Sequence, residues 1–154
     1  MIVALDTNIL LRFTDTTAAH HPVVVQALDT LRLQGDSLRI FPQAVYEFWV
    51  AATRPIANNG LGLSPVDCDQ VITGLLTAFP LLDDQAGLFT EWRTLVTAHD
   101  CKGKVAHDAR FVAAMRTHGL TQLLTFNTGD FARYPGLTVL DPATIAAPPP
   151  STTP

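Results

Sequence analysis

Cysteine is nearly absent from this chain. Only Cys68 and Cys101 occur, far apart and outside any CxxC spacing. That usage speaks against a thiolate metal site and fits two free thiols in a reducing cytosol, so a cytoplasmic protein is expected. Long apolar runs are missing as well. No segment approaches the ~20 apolar residues of a membrane span, and no membrane partner is expected. The N-terminal apolar run meets Asp6 almost at once and carries no basic leader, unlike a signal peptide. Positive charge is scarce: 10 Lys and Arg stand against 14 Asp and Glu, a formal charge of −4. This argues against a polycation that coats nucleic acid without selectivity. It leaves room for a selective nucleic-acid site, because a metal can neutralise local acids and a basic rim can act alone. Neither a phosphate-cradling glycine loop nor a Ser-His-Asp arrangement is found.

What is present is the composition of a folded domain. Of 154 residues, 47% are apolar and 16% charged. One domain over residues 1–145 is expected, followed by a proline-rich tail over 146–154. The tail sequence Pro148-Pro149-Pro150-Ser151-Thr152-Thr153-Pro154 suits neither helix nor central strand and is expected to be a mobile extension.

Strand and helix signals alternate along the chain. Residues 2–5 predict a buried strand, Thr7 a helix cap, and residues 8–13 a short helix. His21-Pro22 opens a helix to about residue 32, with Val24, Val25, Leu28 and Leu31 at helical spacing. Residues 38–41 predict a second strand. Pro42 then opens a helix with Val45, Phe48, Trp49 and Ala52 as its apolar stripe, ended by Arg54-Pro55. After the loop Asn58-Asn59-Gly60-Leu61-Gly62, Ser64-Pro65-Val66-Asp67 marks a capped helix start. Residues 79–82 predict a short strand, 84–97 and 105–118 helices, and 123–126 and 138–140 two further strands. Such alternation implies an α/β fold with a mainly parallel sheet, helices covering both faces.

Four carboxylates stand out. Asp6 ends the first strand, and Asp130 follows the strand near residue 126. In open α/β sheets ligands bind beyond the carboxyl ends of the strands. Glu47 borders the apolar stripe of its helix. Asp108 shares a helix face with Val112 and Met115, and an acid in line with a buried stripe needs a partner. Each also has a structural explanation. Asp6 can cap a helix, Glu47 can be a solvated surface acid, and Asp108 can serve helix-start electrostatics worth roughly 0.3–1 kcal/mol. Asp130 can cap a one-turn helix over residues 131–133. If the four converge, their charges require a cation, and an all-oxygen set selects Mg²⁺ or Mn²⁺ over zinc or copper.

The ordered motifs resemble the PIN-domain nucleases, and most of all the bacterial VapC-type toxin ribonucleases. The segments that carry the resemblance are Val3-Ala4-Leu5-Asp6-Thr7-Asn8-Ile9-Leu10, Glu47-Phe48-Trp49 through Arg54, His107-Asp108-Ala109-Arg110 through Gly119, and Leu124-Thr125-Phe126-Asn127-Thr128-Gly129-Asp130-Phe131. It covers residues 1–142. The resemblance implies a three-layer α/β/α fold and a Mg²⁺- or Mn²⁺-dependent endoribonuclease. It assigns Asp6, Glu47 and Asp108 as central acids and Asp130 as the fourth, with Asn8 and Thr125 in support. Asn127 falls where some relatives carry an acid. The family also implies a homodimer, a cognate antitoxin protein, and an RNA substrate such as a tRNA or rRNA loop. A housekeeping RNA-processing nuclease and a non-catalytic PIN-fold binding module are the alternatives.

Basic residues bracket these acids. Arg12, Arg54, Lys102, Lys104 and Arg110 are candidate RNA phosphate contacts, with solvated surface or ordinary ion pairs as the alternative. Leu28 and Leu31, with Val71 and Leu75, either form an apolar groove for an antitoxin helix or belong to the core. Trp92 belongs to the core or to a subunit interface. His107-Asp108 also resembles the paired motif of HD-type metal phosphohydrolases, but His20, His21, His99 and His118 supply no second motif. A phosphatase of the haloacid dehalogenase type expects an acid at position 8, where Asn8 stands.

Overall fold

Val3, Ala4 and Leu5 have no exposed surface, which is the condition of a strand covered on both faces. In the computed structural model, which describes residues 1–146, this strand is β1 (Ile2–Leu5). The chain continues through α1 (Thr7–Thr14), α2 (His21–Leu33), β2 (Ser37–Arg39) and α3 (Pro42–Thr53). A short 3₁₀ turn (Ile56–Asn58) leads to α4 (Pro65–Ala78), α5 (Leu88–Ala98) and α6 (Val105–Thr117). Then come β3 (Gln122–Leu124), α7 (Thr128–Phe131), β4 (Thr138–Leu140) and α8 (Pro142–Ala146).

The four strands lie in the order β2-β1-β3-β4, and every pairing is parallel. Ala4 sits between Arg39 of β2 and Leu123 of β3. From β1 the chain first builds outward to β2 and later returns to the other side with β3. The switch point of the sheet therefore lies between the carboxyl ends of β1 and β3. Helices cover both faces: α1 packs on α3, α2 on α8, and α5 on α6. This is the expected three-layer α/β/α architecture. Phe41, Phe48, Phe79 and Phe111 are fully buried, and Phe41 meets Phe111 edge to face at 5.5 Å.

Side-chain caps or first-turn prolines mark the starts of α1 to α4. Ser64 accepts from the Asp67 amide at 3.1 Å, and Pro22, Pro42 and Pro65 stand in first turns, where no N–H is needed.

Several expectations need correction. The strand expected over residues 79–82 is reduced to one bridge between Ile40 and Leu81. The next rung upstream would need an N–H from Pro80, which has none. The helix expected from residue 84 begins only at Leu88, because Gly87 takes a left-handed φ of 91°. Asp6, not Thr7, is the cap of α1, and Thr7 is its first residue. The one-turn helix near Asp130 covers Thr128–Phe131 rather than 131–133. Leu28, Leu31 and Leu75 are core residues and Val71 packs against them, so they line no open groove. The expected mobility of the proline-rich tail falls on residues 147–154, outside the described residues. Among the described residues, no helix is long and apolar enough to cross a membrane.

Candidate active site

Asp6 stands at the switch point. Its amide still donates to the Leu124 carbonyl at 3.1 Å, so it extends the β1–β3 pairing by one residue before α1 turns away. The side chain is only 7% exposed. Oδ1 accepts from the Thr7 amide at 2.7 Å, the capping bond. Oδ2 accepts from the Thr125 hydroxyl at 2.6 Å and from Asn8 Nδ2 at 2.8 Å. Thr125 is fully buried and also accepts from Asn8 Nδ2 and from the Asn127 amide, both at 3.0 Å. Asn8 Oδ1 completes the lattice by accepting from the Phe126 amide at 3.2 Å. Burial pushes the Asp6 carboxyl above the usual carboxylate range. The Thr125 and Thr7 hydrogen bonds pull it back, and the charge of Glu47 pushes it up again. Capping does not remove Asp6 from the candidate site: one oxygen caps α1 while the other is held by Thr125 and Asn8.

Glu47 projects from the second turn of α3. Its Oε2 accepts from the Thr7 hydroxyl at 2.9 Å, and its Oε1 from Gln43 Nε2 at 2.9 Å. Gln43 Nε2 also donates to the His107 carbonyl at 2.9 Å, immediately before Asp108. Gln43 Oε1 accepts from Arg110 Nη1 at 3.2 Å, and Arg110 Nη2 pairs with Asp84 at 2.6 Å. Gln43 is buried, with both ends of its amide satisfied. Neither Thr7 nor Gln43 was singled out as a site residue from sequence. The available signal was the four-residue step from Gln43 to Glu47, which puts the two on one helix face.

Asp108 lies in the first turn of α6, and its carboxyl is pushed up to about 6. Burial is the largest cause, followed by the charges of Asp130, Asp6 and Glu47, with Arg133 opposing them. That three other acids act on Asp108 puts all four in one electrostatic neighbourhood. Asp130 sits in α7 on the exposed side of this neighbourhood. Arg133 is a further residue the sequence did not single out. Asn127 is exposed and contributes its backbone amide to Thr125.

Among the described residues, no three Asp, Glu, His or Cys side chains stand close enough together to enclose a metal ion by themselves. Mg²⁺ does not ask for such a cage. It keeps several waters and takes one or two carboxylates together with substrate phosphate. The donors here are all oxygens, and the charges of Asp130, Asp6 and Glu47 each raise Asp108, a repulsion that positive charge would relieve. The residues present fit a hard divalent ion held loosely, not a closed structural site.

The basic candidates divide into three groups. Arg54 and Arg110 line a cleft of about 570 Å³ with Gln43, Tyr46, Glu47, Val50 and His107. Arg110 is already engaged by Asp84 and Gln43, so it braces the site from within. Lys102 pairs with Asp100 at 2.9 Å, and Lys104 is exposed just before α6. Arg12 lies over the Phe126 ring at 5.8 Å and lines a separate cleft with Asp15, His20 and Asn59. Phe48 is core and Trp49 packs against it. Trp92 is half-buried against the core, its indole N–H donating to the Ala106 carbonyl at 2.8 Å.

Comparison with known proteins places this arrangement in context. The PIN domain family profile matches residues 3–137. The fold is similar to that of VapBC2 from Rickettsia felis, solved bound to a DNA fragment from their promoter. The TM-score is 0.70 at 17% identity, covering 92% of this chain and 98% of that one. It is similar to a toxin–antitoxin complex from Klebsiella pneumoniae, with a TM-score of 0.63 at 24% identity, covering 91% and 97%. It is also similar to VapC20 of Mycobacterium tuberculosis, described as a sarcin-ricin loop cleaving toxin. There the TM-score is 0.54 at 14% identity, covering 79% and 86%. No curated protein matches by sequence.

Proposed function

The chain belongs to the PIN domain family, and from that premise we propose that it is a metal-dependent endoribonuclease, the toxin of a type II toxin–antitoxin pair. Its reaction is hydrolysis of RNA phosphodiester bonds. The observation that carries this is the placement of Asp6: it is buried at the switch point, bonded to Thr125, and shares one electrostatic neighbourhood with Glu47, Asp108 and Asp130.

In this reading Asp6, Glu47, Asp108 and Asp130 are the acids that would attract Mg²⁺ or Mn²⁺, one or two of them as direct ligands and the scissile phosphate completing the site. When bound, the ion supplies an activated water and neutralises charge at the phosphodiester. The chain's own residues set the geometry. Thr125 and Asn8 fix Asp6 Oδ2, while Thr7 and Gln43 aim the two oxygens of Glu47. Asp108, pushed up to about 6 by burial and its acidic neighbours, is the acid whose ionised form a nearby cation would favour most clearly. Without a cation the four acids repel an incoming phosphodiester; with one they attract it. Lys102, Lys104, Arg54 and Arg12 form the basic rim for the RNA backbone.

The structures named as toxin–antitoxin complexes support a cognate antitoxin as partner. A homodimer, a cytoplasmic location, and a structured tRNA or rRNA loop as target complete the proposal. Leu28 and Leu31 are no part of the antitoxin contact, since they are buried.

The test is cleavage of total cellular RNA by purified protein with Mg²⁺, with Mn²⁺ and with chelator, beside Asp6→Asn. Discrete metal-dependent products, absent in the variant, are expected. Cleavage that survives exhaustive chelation, or that Asp6→Asn performs at the parent rate, overturns the proposal.

A further inference from the structure

α3 carries a second row of side chains that the acids do not use. Tyr46, Val50 and Arg54 follow one another at four-residue steps, so they form one line down the helix. The row starts beside Glu47, and all four residues line the same cleft. Tyr46 is 65% exposed and Val50 59%, so the row presents a ring and an aliphatic side chain to solvent next to Glu47. Arg54 is exposed too, and no ion pair among the described residues involves it. Its neighbour in the cleft, Arg110, is by contrast locked to Asp84.

The backbone under Arg54 is held firmly. The Gly62 amide donates to the Arg54 carbonyl at 2.9 Å. At Gly60, a Cβ would fall 1.8 Å from that same oxygen, so only glycine lets the loop close over it. The loop after α3 thus fixes the point from which the guanidinium projects. Such preorganisation lowers the ordering cost of binding.

We propose that this row is a nucleotide subsite of the nuclease. An unpaired RNA base stacks on Tyr46 against Val50, and the adjoining backbone phosphate rests on Arg54. From Glu47 to Arg54 the helix rises about 10 Å, which leaves room for a nucleotide beside the scissile phosphate. A flat ring and a free cation in one line are what single-stranded nucleic acid requires. A partner helix, by comparison, would want an unbroken apolar stripe. The subsite rests on the endoribonuclease reading and adds to it the preference for an unpaired strand at this cleft.

The test uses the full chain carrying Asp6→Asn, which binds without cutting, and a fluorescent single-stranded RNA oligonucleotide with Mg²⁺. Adding Tyr46→Ala is expected to weaken binding on the order of tenfold, within the range for one lost stacking contact. Tyr46→Phe should stay near the parent. Arg54→Gln should reduce the slope of log affinity against log salt by about 0.7, one phosphate contact on a single strand. If the parent binds RNA and Tyr46→Ala binds equally well, the subsite is overturned and the nuclease reading stands. If Tyr46→Ala instead converts an oligomer into monomers, the row is an interface between copies and the subsite is overturned as well. If the parent neither binds RNA nor, as wild type, cleaves it, both fall together.

Discussion

The Thr125 hydroxyl donates to Asp6 Oδ2 at 2.6 Å, joining the end of β3 to the end of β1 inside the protein. Thr125 is the hub that opposes the burial penalty on the Asp6 carboxyl, and it also receives Asn8 and the Asn127 amide. Thr125→Val keeps the shape and removes all three bonds. It should lower stability by about 1–3 kcal/mol and reduce RNA cleavage. Thr125→Ser should retain most of both. Urea midpoints and cleavage rates for the two variants, side by side, provide the check.

The four acids should not respond equally. Asp6→Asn and Asp108→Asn are expected to abolish cleavage while leaving the far-ultraviolet circular dichroism unchanged. Asp130 is exposed at the outer side of the neighbourhood, so Asp130→Asn should leave measurable turnover. A loss at Asp130 as complete as that at Asp6 would make it a full member of the metal-binding set.

Asp108 makes the metal-free protein pH-dependent. Its carboxyl sits at about 6 in the fold against 3.8 for the free group, raised first by burial and then by its acidic neighbours. A raised acid favours the native state in its protonated form. The stability it contributes is full below the unfolded value and is lost as pH rises through about 6. In the presence of chelator, Asp108→Asn should therefore raise the melting temperature at neutral pH. The gain should shrink as the pH falls below about 6. Thermal melts of both proteins across that window decide it, and a gain that is constant with pH would contradict the assignment.

Gln43 connects Glu47 to the backbone of His107, and so sets α3 against the start of α6. Gln43→Leu fills the space but strands the Glu47 carboxylate, the His107 carbonyl and Arg110. It should weaken Mn²⁺ binding several-fold and lower stability by about 1–3 kcal/mol. Gln43→Glu should be worse for stability without metal, because it sets a second negative charge against Glu47. Calorimetric Mn²⁺ titrations and melts report the two effects separately.

Gly60→Ala should displace the loop after α3, since its Cβ would meet the Arg54 carbonyl oxygen at 1.8 Å. Backbone cannot yield as a flexible side chain does. The expected result is a lower melting temperature together with weaker RNA binding, whereas Gly74→Ala, in open space within α4, should be neutral or mildly stabilising.

The parallel α/β architecture was legible in the chain because its signals are local. The apolar run 2–5, the proline-opened helices and Ser64 each act within a few residues. The errors arose where a distant partner or a local backbone angle decides. Pro80 ends a ladder whose other side is forty residues away, and Gly87 delays a helix through a backbone angle that composition does not reveal. The acids were visible as strand-end and helix-face carboxylates. Their supports were less so: Thr7 read as a plain cap and Gln43 as part of an ordinary helix, because a hydrogen bond from α3 to the start of α6 leaves no periodic trace. Arg110 had the character of a surface cation until Asp84 and Gln43 were placed beside it.

The bond between Asp6 and Thr125 spans 119 positions of the chain. A protein growing on the ribosome carries its first strand from the outset, and its second and third acids well before synthesis ends. Until residue 125 of the 154 has been added, however, Asp6 has no hydroxyl to receive and β1 has no β3 beside it. If the chain is the endoribonuclease proposed above, its site cannot assemble until most of its own translation is over, and a chain terminated before Thr125 would lack it.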